Sequence, residues 1–194
     1  MTAALIPLAE GVEEMEAVVV LDVLRRAGWS VTGAGLTAGP LTASRGVRLL
    51  PDALWAELDP VTFDMLVVPG GAGGVAALRQ DGRVAAAARD FFQRGKWVAA
   101  ICAGPLVLQD AGLLAGRRAT CHPGVARELT ATPRVDEPVV VDGRLVTSQG
   151  AGTALEFALT LVALVDGAAR AGAVARAMAL RQVDFLCAPP PAGR

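Results

Sequence analysis

Three features of this chain predict an α/β fold, a mostly parallel sheet covered by helices on both faces. Strand-like apolar runs alternate with helix-like runs along the chain, the pattern of a sheet built through crossover helices. At 194 residues, with no internal repeat and no linker-like stretch, the chain has the size of one large domain. Hydrophobic residues make up 53% of it, enough for a sizeable core.

The elements follow in order. Ala3 to Leu8 is a short apolar strand, and Glu13 to Arg26 is a helix that Gly28 stops. Ser30 to Leu36 returns as a strand. Met65 to Val68 is another, closed by Pro69-Gly70-Gly71. Val84 to Arg94 is a helix ended by Gly95. The buried strand Trp97 to Ile101 then runs directly into a helix-like stretch, Ala103 to Ala111, with Cys102 alone at the join. Thr120 to Pro123 ends a further short strand. Asp142-Gly143 between Val139-Val140-Val141 and Arg144-Leu145-Val146 is a strong hairpin signal. Thr153 to Val165 is an apolar helix in which Thr153 and Glu156 suggest a capping box. A last helix runs from about Ala171 to Arg181. Residues 1–188 are expected to form a single domain, with 189–194 a frayed, disordered tail.

Composition narrows the function. Net charge is -1 and no Lys/Arg cluster stands out, so nothing marks a nucleic-acid partner. No apolar stretch reaches the ~18 residues of a membrane span, and MTAALIPLAEG has no signal-peptide pattern. A cytoplasmic setting is expected. The three cysteines, Cys102, Cys121 and Cys187, form no even disulfide framework and are expected to be thiols.

Cys102 carries the strongest chemical signal. Ligands of open α/β sheets bind at the carboxyl ends of strands, and Cys102 sits at such an end and at a helix N-terminus, which favours an anion and predicts a lowered thiol pKa. A buried, inert cysteine is the plainer alternative; the strand-to-helix elbow argues against it. Gly70-Gly71-Ala72-Gly73-Gly74 lies at the same sheet edge. It lacks the dinucleotide fingerprint. Its backbone N–H groups, with that of Ala103, suit an oxyanion role, and a tight turn is the alternative. Glu13 and Glu14 fit the dipole of the first helix turn. Glu16 instead precedes the apolar block Ala17 to Leu21, where a carboxyl has a raised pKa and can donate or accept a proton near neutrality. Glu16 is expected protonated while Cys102 is ionised. His122, the only histidine, is either structural or the one imidazole available to Cys102. Cys121 and His122 are neighbours on an extended segment, so their side chains diverge and a shared metal site is not expected. The first helix is apolar nearly all round, through Val18, Val19, Val20, Leu21, Val23 and Leu24. Either the chain covers both faces itself or a second copy does.

E-G-V-E-E-M-E, V-V-P-G-G, A-A-I-C-A-G-P, C-H-P, T-S-Q-G-A-G-T and L-E-F-A-L, in this order, resemble the ThiJ/PfpI superfamily and its DJ-one branch over roughly Ala3 to Arg181. The resemblance implies a flavodoxin-like three-layer sandwich with a mostly parallel sheet and a β-hairpin, of the class I glutamine amidotransferase-like kind. It implies catalytic roles for Cys102, Glu16 and His122, with Gly70, Gly71 and Ala103 as backbone donors and no cofactor or metal. Arg45 and Arg26 would lie at a substrate or interface rim. Gln149 and Ala151 would lie there too, in place of the branch's usual arginine and proline. It further implies a homodimer acting on methylglyoxal-type α-oxoaldehydes or early glycation adducts as a glyoxalase or deglycase. A non-enzymatic redox sensor or chaperone that uses oxidation of Cys102 is the alternative. A cysteine peptidase is a distant third, since Ala103 stands where peptidases of the superfamily carry a histidine. Cys121 is either a second redox thiol or a small strand residue.

Overall fold

The computed structural model describes residues 1–180. Arg181, Cys187 and the expected tail lie outside the described residues. The strands, in chain order, are β1 (Ala3–Leu8), β2 (Ser30–Gly35), β3 (Leu41–Thr42), β4 (Arg48–Leu49), β5 (Ala53–Leu54), β6 (Met65–Val68), β7 (Trp97–Ile101), β8 (Val139–Asp142) and β9 (Leu145–Ser148). Seven form one sheet in the order β5-β2-β1-β6-β7-β9-β8. Every pairing in it is parallel except β8 with β9, the Asp142-Gly143 hairpin. The remaining two, β3 and β4, make a separate antiparallel hairpin.

The period of two along each central strand divides the interior into two cores. Ala4, Ile6, Met65, Val67, Ala99 and Ile101 face one core, shared with α1 (Glu14–Arg26), α5 (Ala154–Asp166) and α6 (Ala168–Ala177). Leu5, Leu66, Val68, Val98 and Ala100 face the other, shared with α2 (Ala72–Asp81), α3 (Arg83–Gln93) and α4 (Pro105–Asp110). The result is the flavodoxin-like sandwich the sequence predicts. The strand order reverses between β1 and β6, and the carboxyl ends of β1, β6 and β7 open onto one edge.

Several local expectations change. The glycine-rich run after β6 starts α2 rather than ending as a loop. Gly74 is there because a methyl group would come within 2.8 Å of Val12 Cα. The glycines of this turn let the helix approach the loop after β1. Among the described residues the last helix is α6, beginning at Ala168 rather than Ala171 and ending at Ala177. Thr153 does not cap α5: its Oγ1 accepts from the Gly150 N–H at 3.1 Å and lies 2.7 Å from Ser148 Oγ, closing a 3-10 turn before the helix. Thr120 to Pro123 is not a strand. Only Ala119 makes a bridge there, to Arg134.

Candidate active site

β7 ends at Ile101 and the chain turns at Cys102, whose φ is +64°. A side chain in this left-handed region costs about 1–3 kcal/mol and persists only where its surroundings hold it. Here three hydrogen bonds do so. The Cys102 N–H donates to Ser148 O (3.0 Å), the Cys102 carbonyl accepts from His122 N–H (2.9 Å), and Gly104 N–H closes on Ile101 O (2.8 Å). The turn also needs bare backbone opposite it. A methyl group on Gly70 would fall 2.5 Å from Cys102 Cβ and 2.6 Å from Glu16 Oε2.

Glu16, in the first turn of α1, has no exposed surface. Its Oε2 accepts from Gly70 N–H at 2.7 Å. Oε1 is buried with no partner of full hydrogen-bond geometry among the described residues, and the Cys102 side chain is the group within hydrogen-bonding reach of the carboxyl. Burial pushes the Glu16 carboxyl up to about 7. The bonds with Cys102 and Gly70 resist this, and the Glu13 charge adds to it. Glu16 is thus poised to gain or lose a proton at neutrality, as its place in the sequence predicts.

The thiol departs from expectation. Burial, then the charge and hydrogen bond of Glu16, push Cys102 up to about 12, against the Gly71 and Ala103 N–H groups that favour its anion. A lowered pKa would need the end of α4, only six residues long, to outweigh both. At neutral pH the two groups form one coupled pair that shares a proton. Glu16 is placed to take the thiol proton as the sulfur reacts.

A cavity of about 730 Å³ opens over the sulfur. Cys102, Glu16, Gly71, Ala103, His122, Arg45 and Ala151 all line it. His122 is exposed, and its Nδ1 accepts from Gly124 N–H at 3.0 Å. Three expected residues serve otherwise. The Gly70 N–H is spent on Glu16, so it is not a donor to a ligand. Gln149 turns its amide away to Asp136 Oδ1 at 3.0 Å. Arg26 pairs with Asp22 at the far end of α1, ten residues and about 15 Å along the helix from Glu16. Among the described residues no three of His, Cys, Asp and Glu cluster as a metal site.

Sequence reasoning missed the work of the two other glutamates. Glu13 caps α1 through a bond from the Glu16 N–H at 2.8 Å, fixing the residue that carries the acid. Glu14 accepts from Ser44 Oγ (2.8 Å) and from Arg45 N–H (2.9 Å), which moors the β3–β4 turn over the cavity. Burial raises the Glu14 pKa, but hydrogen bonds from its own backbone, Ser44, Arg45 and Val47 outweigh it, and the net shift is downward. The signal was the full set E-E-M-E, in which Glu13 and Glu16, three residues apart, share the side toward the cavity and Glu14 serves the hairpin instead.

Comparison with known proteins finds relatives over most of the chain. The model of the DJ-1/PfpI family matches residues 2–164. Protein DJ-1 homolog B of Arabidopsis thaliana is 42% identical over 160 residues, 81% of this chain; the chain spans 36% of that relative's length. Glutathione-independent glyoxalase DJR-1.2 of Caenorhabditis elegans is 35% identical over 173 residues, 88% of this chain and 92% of that one. The solved structure of oxidized Toxoplasma gondii DJ-1 superposes with a TM-score of 0.89 at 34% identity, covering 94% of this chain and all of that one.

Proposed function

The chain belongs to the DJ-1/PfpI family, and on that footing we propose that it is a DJ-1-type stress protein working as a cysteine-dependent glyoxalase or deglycase. Its substrates are methylglyoxal-type α-oxoaldehydes or early glycation adducts, and it uses no cofactor. One observation carries the reading: a fully buried carboxyl, poised to titrate near 7, touches a half-buried thiol on a strained elbow that faces a cavity. A cysteine that only filled space would need no buried acid beside it.

The Glu16 carboxylate takes the Cys102 proton as Sγ bonds to the aldehyde carbon and the carbonyl electron pair moves onto oxygen. The N–H groups of Gly71 and Ala103, beside the sulfur, are placed to receive that oxygen. Glu16 passes the proton to the oxygen. It then takes the C–H proton of the same carbon and returns it to the neighbouring carbonyl carbon, while the hydroxyl proton passes from the first oxygen to that carbon's oxygen. The hemithioacetal becomes the thioester of a 2-hydroxy acid. Water cleaves the thioester, giving the hydroxy acid and the free thiol. One carbon is oxidised as its neighbour is reduced, so no outside redox partner enters. His122, with Nδ1 engaged, offers Nε2 to orient the substrate.

The test is steady-state conversion of methylglyoxal to lactate, without glutathione, by highly purified wild type and Cys102→Ala. Turnover that survives in the variant rejects the mechanism. The two N–H groups aimed at the sulfur also favour a second reading, a redox sensor in which they hold a Cys102 sulfinate. It gains ground if peroxide adds two oxygens to Cys102 and methylglyoxal is not turned over. The chain is further proposed to be a cytoplasmic homodimer. Met15 (55% exposed) and Val18 (45%) put apolar side chains on the outside of α1, beside the hairpin moored by Glu14. Leu21 is packed within its own chain, so Val18→Arg is the variant to break the dimer. Light scattering that gives the mass of one 19.8 kDa chain rejects it.

A further inference from the structure

We propose that Gly124 and Gly150 are positioning residues that clamp the His122 ring as a fixed hydrogen-bond donor, with its proton on Nε2. His122 then binds the second carbonyl oxygen of the substrate and takes no proton from Cys102. That the acceptor is a carbonyl rests on the function proposed above; the clamp and the tautomer do not.

The sequence His122-Pro123-Gly124 sets the ring. His122 precedes the 3-10 turn Pro123–Val125, and Pro123 has no N–H to offer. The first donor of the turn is therefore the Gly124 N–H, and His122 Nδ1 accepts from it at 3.0 Å. A neutral imidazole has one donor nitrogen and one acceptor nitrogen. With Nδ1 the acceptor, Nε2 carries the proton. The bond needs a close approach: a methyl group on Gly124 would lie 3.0 Å from Nδ1 and 3.3 Å from Cε1. On another edge of the ring, a methyl group on Gly150 would lie 3.2 Å from Cδ2. Nε2 is the remaining polar atom of a ring that lines the cavity over Cys102. The Gly150 position borders the acid as well, since the same methyl would lie 4.0 Å from Glu16 Oε1. One bare Cα thus sits between the donor ring and the proton-carrying carboxyl. His122 and both glycines lie outside α1 and the β3–β4 hairpin, so a second copy docked there leaves the clamp in place.

A ring that only donates divides the work. Glu16 carries protons at the two carbons, and the Nε2 proton holds the oxygen of the carbon that does not bond to sulfur. An Nε2 acceptor would instead repel the lone pairs of that oxygen. A 1,2-dicarbonyl compound has an acceptor at this place and a simple aldehyde has none. His122 is exposed, so this one hydrogen bond is worth roughly threefold to tenfold in binding.

His122 is the only histidine, which makes its ring nitrogens directly readable. Long-range proton–nitrogen spectra of the full, isotope-labelled chain are recorded at about pH 9, where imidazoles are neutral. Nδ1 should give the unprotonated signal and Nε2 the protonated one. The Gly124 backbone lies outside the left-handed region, so Gly124→Ala should fold as the wild type does by circular dichroism. Its methyl should push the ring off the Gly124 N–H and move the two nitrogen signals toward each other. Gly150→Ala should shift the ring but keep the tautomer. Both should lower kcat/KM for methylglyoxal about threefold to tenfold. His122→Gln, whose amide still donates, should keep turnover within about tenfold and leave iodoacetamide alkylation of Cys102 at the wild-type rate. A protonated Nδ1 in the wild type, an unchanged spectrum in folded Gly124→Ala, or slowed alkylation in His122→Gln overturns the proposal. The wild-type spectrum and His122→Gln decide it even if Gly124→Ala does not fold. If the wild type does not turn over methylglyoxal, the proposed function falls, and the spectra and alkylation rates, which need no turnover, still decide the clamp.

Discussion

Glu14 and Glu16 sit two residues apart in one helical turn, both buried, yet their acidities move in opposite directions. Both carboxyls lose water. Glu14 receives in exchange a hydroxyl and backbone donors spread over both oxygens. Glu16 receives one backbone N–H on one oxygen and a thiol's side chain near the carboxyl, and its other oxygen goes unpaired. Burial alone does not set the protonation of a carboxyl; the donors supplied to its anion do. A well-served carboxylate is a mooring. A poorly served one keeps a proton within reach of neutrality and can move it.

The sharpest break in this contrast is in turnover. Glu16→Gln keeps the size and one acceptor but cannot carry a proton, so methylglyoxal turnover should fall roughly a hundredfold to ten-thousandfold. Glu14→Gln should cost less than about tenfold, through looser placement of Arg45. The pH dependence of Cys102 alkylation sharpens the point. In the wild type, reactivity should rise through about pH 7, as Glu16 becomes able to take the thiol proton; in Glu16→Gln that step should vanish. Full turnover in Glu16→Gln would show that the acid is only a filler.

Stability against pH separates the two carboxyls next. The Glu16 pKa is raised from 4.5 to about 7, so between these values the folded chain binds more protons than the unfolded one. Its contribution is complete below the unfolded value and is lost as pH rises through the folded one. The shift amounts to about 3 kcal/mol at ~1.4 kcal/mol per unit. Glu14 runs the other way: its pKa is lowered, so its contribution is present above the ordinary carboxylate range and is lost on acidification. The wild-type Tm minus that of Glu16→Gln, measured from pH 4 to 8, should therefore decline between 4.5 and 7. A flat difference means that Glu16 does not titrate there.

The same contrast marks where the sequence stops speaking. The elbow at Cys102 was legible, because a buried strand running into a helix over small residues leaves one position for an accessible side chain. The acid was legible because Glu16 borders an apolar block. The sign of the Cys102 shift was not, since it depends on Glu16 being wholly buried against the sulfur, a fact about packing. Gln149 was not legible for a related reason: position along the chain placed it near the motifs, but Asp136 decides where its side chain goes. Helix α2 stayed hidden because its glycines read as breakers, whereas Gly74 is there to let the helix pass close to Val12.

The smallest effect tests the argument most directly. Ser44→Ala removes one donor from Glu14 and nothing from Glu16: the Ser44 hydroxyl sits 2.8 Å from Glu14 Oε2, while the Arg45 N–H still reaches both oxygens at 2.9 and 3.2 Å. With fewer donors on its anion, Glu14 should titrate closer to the ordinary carboxylate range, though still below it, and Glu16 should not move. Turnover and Tm should change little, because the hairpin keeps its backbone mooring. Carbon-detected NMR of the glutamate carboxyls across an acid titration reads both groups in one sample. If Glu14 does not move when Ser44 loses its hydroxyl, donor supply is not what distinguishes the two carboxyls, and the difference must lie in their charged neighbours, with Glu13 beside Glu16 the first to examine.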